Sequence, residues 1–277
     1  MMSSAGNDKL FIGVDFSGAA MAGKSIWLAS GCTTTESKFS NHSGLKIYDC
    51  RRAETLPGSG RNRDLCLKAL RNFVETQQDV LIGFDFPFGL PRELVKEDSW
   101  ESFVLNFPEH YNSPQQFRCA CLEKSGRREL NRVTDYDCRA PFSPYNLRIF
   151  RQTYYGICDL LNPLVRTKKA SILPMQEAMP GLPRLIEICP ASTLKAHNCY
   201  SSYKGRGTDK YNKRLIILQF LEREKNLIFN TGELREKVLK DSAGDALDSV
   251  IALYASSKAK ELLPESKDLE IEGYTYY

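Results

Sequence analysis

The sequence lacks most of the features that assign a function class at sight. It contains 3 histidines in 277 residues, and its 9 cysteines include no C-x-x-C pair and no spacing typical of a zinc site. No apolar run approaches the roughly 18 residues that a membrane span needs, and the first residues lack the basic and apolar pattern of an export signal. We therefore expect a cytoplasmic protein with reduced thiols and no membrane segment.

The composition is that of a globular protein with a weak positive charge. Hydrophobic residues make up 42% of the chain, charged residues make up 26%, and the formal net charge is +4. This length and composition allow a substantial core, and we treat residues 1–277 as a single domain. The small positive charge permits a polyanionic partner without requiring one, and nothing in the sequence indicates an oligomeric state.

Residues 18–25, GAAMAGKS, match the phosphate-loop pattern G-x-x-x-x-G-K-[ST]. A phosphate loop requires a helix that begins at its Lys-Ser pair, because the N–H groups at the start of that helix bind the anion. Here the helix would have to run through Gly31 and three consecutive threonines, which oppose it. We therefore interpret the match as false and predict a hairpin connection between two antiparallel strands.

Apolar runs and apolar periodicity predict an alternation of strands and helices. The predicted strands are Lys9–Ala19, Ser25–Ser30, Leu45–Arg51, Val80–Phe86 and Arg184–Cys189. Helical spacing predicts a helix after residue 208 and helices over about Arg63–Thr76, Asn146–Val165, Gly232–Leu239 and Ala243–Leu263. Residues 92–184 are rich in proline, aromatic and basic residues, and we predict that they form a mainly helical insertion that caps the sheet.

Carboxylates lie within or at the ends of segments that otherwise favour burial. Asp15 and Asp85 end apolar strands, Glu187 interrupts one, and Asp245 and Asp248 open the last helix on one face. A buried carboxylate without a partner is costly, so each of these acids needs hydrogen-bond donors, an arginine or a cation. A divalent cation would satisfy several of them at once, whereas structural hydrogen bonds are the alternative for each acid taken alone.

The order of these elements resembles the ribonuclease H-like fold. A strand hairpin with Asp15, a third strand, a helix, a strand with Asp85, a short strand and a late acidic helix follow one another along the chain. The resemblance implies an α/β fold with a mixed five-stranded sheet flanked by helices, in which the first and fourth strands are neighbours and their terminal acids converge. The paired acids of GDALD, residues 244–248, are most similar to the closing helix of RuvC-type junction resolvases.

Motifs spread over nearly the whole chain resemble those of the family called domain of unknown function 429. They are Gly13–Ser17, Ile26–Leu28, Asp85–Leu90, Glu187–Pro190, Asp245–Asp248 and Glu272–Tyr274. That family is described as a predicted nuclease with a ribonuclease H fold. The resemblance implies a metal-dependent hydrolase of nucleic-acid phosphodiester bonds whose catalytic acids are Asp15, Asp85, Glu187, Asp245 and Asp248.

The acids favour Mg²⁺ or Mn²⁺ as the cofactor, because hard cations prefer carboxylate oxygens and no histidine accompanies the motifs. Our hypothesis is a two-ion site in which Asp15 bridges the ions and Asp85 and Asp245 complete them. Asp248 or Glu187 is then the adjustable ligand. The histidines fall in predicted loops, where a solvated role is expected: His42, His110 and His197.

Candidate substrate-binding residues are hydroxyl or basic side chains, namely Ser17, Lys24, Arg128, Arg132, Arg139 and Arg151. The arginines of the insertion interleave with the aromatic residues Tyr136, Phe142, Tyr145 and Tyr154. Arginine can neutralise phosphates while aromatic rings stack on exposed bases, so we expect a nucleic-acid partner. Lys204, Arg206 and Lys210 extend this basic track, and both DNA and RNA stay open as substrates.

Two other function classes also stay open. A non-catalytic module that binds nucleic acid or metal would keep the same fold and acids. The actin-like and sugar-kinase-like ATP-dependent phosphotransferases share the core, and in them an Asp also follows the first strand. Those proteins normally duplicate the fold and carry a glycine-rich adenosine site late in the chain, whereas residues 241–246 here contain little glycine.

Overall fold

The computed structural model describes residues 9–34, 44–259 and 269–277. The strands are β1 (Leu10–Asp15), β2 (Trp27–Thr34), β3 (Gly44–Arg52), β4 (Leu81–Phe84), β5 (Ser171–Ile172), β6 (Arg184–Ile188), β7 (Leu227–Phe229) and β8 (Thr275–Tyr276). The first helices are α1 (Ala22–Ser25), α2 (Arg63–Glu75), α3 (Trp100–His110), α4 (Pro114–Lys124), α5 (Val133–Asp137) and α6 (Phe150–Tyr155). The remaining helices are α7 (Asn162–Thr167), α8 (Pro190–Ala196), α9 (Thr208–Glu224), α10 (Gly232–Lys240), α11 (Asp245–Lys258) and α12 (Leu269–Glu272).

All of these strands belong to one mixed sheet. Their order is β5-β6-β4-β1-β2-β3-β7, and β8 also pairs with β6. β2 runs antiparallel to both β1 and β3, whereas the other pairs are parallel. The central order β3-β2-β1-β4-β6 confirms the predicted ribonuclease H-like sheet, including the neighbouring first and fourth strands. The short strands β5, β7 and β8 extend the sheet beyond the five that were predicted.

The connection between β1 and β2 is a hairpin, as predicted, and not a phosphate loop. Its single helical turn, α1, ends at Ser25, and Ile26 is already extended. The chain then returns antiparallel to β1, with Trp27 opposite Asp15. The helix required by a phosphate loop would begin where α1 stops. A side chain at Gly23 would lie 2.0 Å from the Gly60 carbonyl oxygen, so the glycine of the GKS sequence permits packing against another loop.

Two glycines in adjacent strands let α11 approach the sheet closely. Gly13 in β1 and Gly83 in β4 are register partners. A Cβ at Gly13 would lie 2.1 Å from the Leu253 backbone nitrogen, and one at Gly83 would lie 2.2 Å from the Ser256 hydroxyl. Every residue of α11 from Ala246 to Ser256 is buried. This close contact fixes the start of α11 at the end of the sheet where β1 and β4 terminate.

The sheet separates two apolar cores. One core packs β1 and β4 side chains against α2 and the helices of residues 92–184, and the other packs the opposite face against α9, α10 and α11. The predicted helix over 146–165 begins later, at Phe150, and contains a π-helical segment, Gly156–Leu161, between α6 and α7. Among the described residues, no helix is long and apolar enough to cross a membrane.

Candidate functional site

Asp15 and Asp85 lie side by side because they follow paired positions of neighbouring parallel strands. In the β1–β4 pair, Val14 lies opposite Phe84, and the residue that follows each of them is an aspartate, Asp15 or Asp85. The Asp85 backbone N–H continues the pairing by donating to the Val14 carbonyl at 2.9 Å. The carboxyl edge of the sheet therefore carries an acidic pair.

α11 adds a third carboxylate to this pair. Oxygen atoms of Asp15, Asp85 and Asp248 all lie within 4.8 Å of one another, and no other acid, cysteine or histidine group in the described ranges meets the same criterion. Asp15 is 7% exposed and Asp248 is 3% exposed. Asp245, one turn earlier on α11, is less buried than Asp248 and lies at the margin of the cluster. The three clustered residues form what we call the acid centre.

The partners of the acid centre are unevenly distributed. The Tyr203 hydroxyl donates a hydrogen bond to Asp248 Oδ1. Lys204 Nζ lies 2.5 Å from Asp248 Oδ2 and 3.5 Å from Asp245 Oδ1. Within the described part of the chain, no side-chain hydrogen bond or ion pair reaches the carboxylates of Asp15 or Asp85. The buried Asp15 carboxylate and the half-buried Asp85 carboxylate thus lack protein partners.

Burial and mutual repulsion make these carboxylates hard to ionise. Burial raises the pKa of Asp15 well above its ordinary value, Lys204 lowers it, and the charges of Asp248, Asp245 and Asp85 raise it further. Burial and the Asp248 charge raise the pKa of Asp85 to about 8. The pKa of Asp245 is raised for the same two kinds of reason, although Lys204 opposes the shift. A cation placed among these oxygens would relieve both causes.

The raised pKa of Asp85 predicts how the metal-free protein responds to pH. An unfolded aspartate loses its proton near pH 4, whereas folded Asp85 retains it up to about pH 8, so folding stability falls as the pH rises between these values. Asp85→Asn removes this contribution. In EDTA we expect the melting temperature of the variant to exceed that of wild type by a few degrees at pH 8.5 and to approach it at pH 4.5. Thermal melts by circular dichroism measure the difference, with the exposed Asp98→Asn as control; equal melting temperatures at pH 8.5 would contradict the assignment.

Glu187 is committed to another set of contacts and does not join the acid centre. Arg132 donates to both of its oxygens, at 2.5 and 2.7 Å. The Thr275 hydroxyl donates to Oε1 at 2.6 Å, and the Phe88 backbone N–H donates to Oε2 at 2.7 Å. The same arginine forms a second bidentate pair with Asp135. The two oxygens of Glu187 thus already accept four hydrogen bonds. This arrangement does not agree with the expectation that Glu187 is an adjustable metal ligand.

Arg132 was expected to bind substrate, and its position corrects that expectation. Its side chain is 1% exposed and lies between two carboxylates, so its charge is neutralised inside the protein. Its Nη1 atom also donates to the Glu272 carbonyl at 3.1 Å, and Glu272 Oε2 accepts from the Val133 backbone N–H. This network ties the insertion to β6 and to the segment 269–277, and it supports the edge of the sheet on which the acids lie.

The acid centre opens into a cleft of about 560 Å³. Ser17 lines this cleft, as do Phe142 and Arg148 of the insertion and Tyr200 of the loop after α8. The other proposed contacts lie outside its lining: Lys24, Arg128, Arg139 and Arg151. All four are exposed surface side chains. The basic side chains that line the cleft are therefore Lys204, Arg148 and the buried Arg132, rather than this group.

Of the four aromatic residues predicted to stack on bases, only Phe142 lines the cleft. Tyr145 and Tyr154 are buried, and their hydroxyls bond to backbone carbonyls of Arg128 and Tyr111. Tyr136 is 68% exposed but lies outside the cleft lining. Phe142 lines the cleft, and the Arg148 guanidinium lies 5.3 Å from its ring centre. Tyr200, which was not predicted, is 51% exposed with Lys195 Nζ 5.5 Å from its ring centre.

Comparison with known proteins supplies little further information. No protein-family model and no curated protein matches this sequence. A similar solved structure is the crystal structure of the yeast mitochondrial Holliday junction resolvase Ydc2, with 11% identity over 90% of this chain and 81% of that chain, and a TM-score of 0.31.

The histidines take no part in the acid centre where the structure describes them. His110 Nε2 lies 2.6 Å from Glu97, and His197 Nε2 lies 3.3 Å from the Tyr254 hydroxyl. His42 lies outside the described residues. Sequence reasoning missed Tyr203, since a lone tyrosine before a lysine carries no recognisable signal, and it placed Lys204 only in a basic track.

Proposed function

We propose that this protein is a metal-dependent nuclease that hydrolyses phosphodiester bonds of nucleic acid. The observation that carries the proposal is the convergence of Asp15, Asp85 and Asp248 within 4.8 Å, with two of the three carboxylates lacking a protein partner. Buried carboxylates in this state are expected to bind a cation. The convergence depends on a parallel strand pair and a closely packed helix, so it is a rigid feature of the fold.

The donor atoms fit Mg²⁺ or Mn²⁺. All of them are carboxylate oxygens, which hard divalent cations prefer, and no cysteine or histidine of the described residues joins the group. When bound, such ions would activate a water molecule and stabilise the charge on the departing oxygen. Asp15, Asp85 and Asp248 would hold the ions, and Asp245 would join them if Lys204 released it.

The surroundings of the acid centre support a nucleic-acid substrate. The cleft combines carboxylates with the cation of Arg148 and the rings of Phe142 and Tyr200. Cations neutralise phosphates, and aromatic rings stack on bases regardless of base identity. The resemblance of the sequence motifs to domain of unknown function 429, a family of predicted nucleases, agrees with this proposal.

The proposal is tested by hydrolysis of a labelled panel. Single-stranded DNA, duplex DNA, RNA, an RNA–DNA hybrid and a four-way junction are incubated with wild-type protein in Mn²⁺, in Mg²⁺ and in EDTA. We expect metal-dependent cleavage of at least one member and none in EDTA. A folded protein that cleaves no member under either metal would leave a non-catalytic binding module as the better account. Stabilisation by ATP together with absence of cleavage would favour a phosphotransferase.

The exposed ring of Tyr200 in the cleft is expected to contribute to nucleic-acid binding. Because stacking on one base contributes about 1–3 kcal/mol, Tyr200→Ala is expected to weaken binding of a single-stranded oligonucleotide by roughly 5- to 150-fold. Fluorescence anisotropy in an Asp15→Asn background measures binding without cleavage. Tyr136→Ala is the matched control, since Tyr136 is also exposed but lies outside the cleft lining. Equal losses for Tyr200→Ala and Tyr136→Ala would remove Tyr200 from the binding surface.

A further inference from the structure

We propose that Lys204 is a built-in counter-cation of the acid centre that a divalent metal must displace, so that this lysine sets the metal affinity of the site. The inference rests on the proposed function only in its assumption that a divalent cation binds there. Lys204 thereby controls metal affinity, a role distinct from the phosphate contact expected from its place in a basic track.

The position of the ammonium group carries the inference. Lys204 Nζ lies 2.5 Å from Asp248 and 3.5 Å from Asp245. Its charge also acts on Asp15 and on Asp85, since it lowers the pKa of both carboxyls. Lys204 thus contacts only the two acids of α11, and its charge influences Asp15 and Asp85 without contacting them. A metal ion bound by the same oxygens would compete with it directly.

Hydrogen bonds hold the backbone of the loop that carries Lys204, and they place its ammonium group next to the acids. The buried Arg214 guanidinium donates to the carbonyls of Tyr203 and Gly205 at 2.9 and 3.0 Å. The Gly205 N–H donates to the Ser242 carbonyl at 2.8 Å, which joins the loop to the segment before α11. Gly244 has a φ of +83°, and a Cβ there would lie 3.0 Å from Lys204 Cγ. These contacts hold the backbone on both sides of Lys204 and leave room for its stem.

The lysine can leave the acids without unfolding the loop. Its side chain is 52% exposed, while the Asp248 side chain is 4% exposed. The Tyr203 hydroxyl donates to Oδ1 of Asp248, whereas the ammonium contacts Oδ2, so the two partners use different oxygens of the carboxylate. The Lys204 ammonium can therefore be replaced at the buried Asp248 carboxylate by another cation.

Removing this charge has opposite consequences for the metal-free and metal-bound states. Without Lys204, the acids lose their internal cation, so the metal-free state becomes less stable. A divalent ion then binds without displacing a competitor and meets more negative charge. The metal affinity of a neutral variant should consequently rise, whereas an ordinary metal-assisting or purely structural lysine would give a fall or no change.

Calorimetric titration with Mn²⁺ alone tests the inference. Wild type is compared with Lys204→Met, Lys204→Gln, the charge-conserving Lys204→Arg and the surface control Lys240→Met. Lys240 forms one exposed ion pair, with Glu236 at 3.4 Å. We expect the Mn²⁺ dissociation constant to fall at least tenfold in Lys204→Met and Lys204→Gln, and to stay within about threefold of wild type in Lys204→Arg and Lys240→Met. Melting in EDTA should show a lower melting temperature for the two neutral variants, with recovery on adding Mn²⁺.

The outcomes separate this inference from the proposed function. Unchanged or weaker Mn²⁺ binding in both neutral variants overturns the role of Lys204, even if wild type cleaves nucleic acid. Tighter binding in both variants supports that role, even if the panel shows no cleavage. Absence of Mn²⁺ binding in wild type and in all variants overturns the inference together with the metal site. The two neutral variants differ in polarity, so a folding defect in one leaves the other as the test.

Discussion

Asp15→Asn is expected to reduce metal-dependent cleavage by about 10³-fold or more while leaving the protein folded. Asp15 ends β1 at the centre of the sheet. The charges of Asp85, Asp245 and Asp248 all raise the pKa of its carboxyl. An amide of the same shape carries no charge and is a weaker oxygen ligand, so it would hold a divalent cation poorly. The thermal shift produced by Mn²⁺ should disappear in the same variant, because a ligand stabilises only the state that binds it.

The controls for Asp15→Asn separate lost chemistry from lost folding. Asp209→Asn replaces an exposed aspartate that pairs only with lysines of its own helix, and its cleavage rate should equal that of wild type. Asp245→Asn should have a smaller effect than Asp15→Asn, since Asp245 lies at the margin of the cluster. An Asp15→Asn protein that retains more than a tenth of wild-type cleavage would remove Asp15 from the catalytic group.

Arg132→Met is expected to lower the free energy of unfolding by about 3–5 kcal/mol, the cost of leaving buried charges without their partner. Arg132 donates to both oxygens of Glu187 and to both oxygens of Asp135, and all three side chains are almost fully buried. Methionine fills a similar volume but neutralises neither acid. Urea unfolding followed by circular dichroism measures the loss.

A double variant tests the cause of this loss. Arg132→Met combined with Glu187→Gln removes one of the two stranded charges, so it should recover part of the stability lost by Arg132→Met alone. The exposed Arg128→Met serves as the control and should change stability by less than about 1 kcal/mol. A loss below about 1 kcal/mol in Arg132→Met would show that the buried network contributes little to folding.

Sequence patterns predicted the parts of the fold that depend on local residues. β1 and β4 were found because they are apolar runs with an acid at the end, and α11 because its apolar residues recur at helical spacing. Once these elements are arranged in the ribonuclease H-like order, the meeting of Asp15, Asp85 and Asp248 follows from parallel pairing and helix packing. The rejection of the phosphate loop was likewise a local argument, about which residues can continue a helix.

The parts that could not be predicted depend on contacts between distant segments. Glu187 lies within an apolar strand and Asp85 directly follows one, and only the arrival of Arg132 from the insertion shows that Glu187 has a structural role. Tyr200 and Lys204 reach the cleft from a loop without periodicity. β8 consists of two residues, too few for a pattern, and it pairs with Glu187 and Ile188 of β6, beyond the two residues of β6 that β5 covers.

The most direct test of the acid centre is the position of Mn²⁺ located by anomalous scattering in crystals of the wild-type protein. We expect a peak at about 2.0–2.6 Å from carboxylate oxygens of Asp15, Asp85 and Asp248, with Lys204 Nζ moved away from Asp248. A Mn²⁺ peak bound elsewhere, or none at the acid centre in crystals of a protein that cleaves nucleic acid in Mn²⁺, would contradict it.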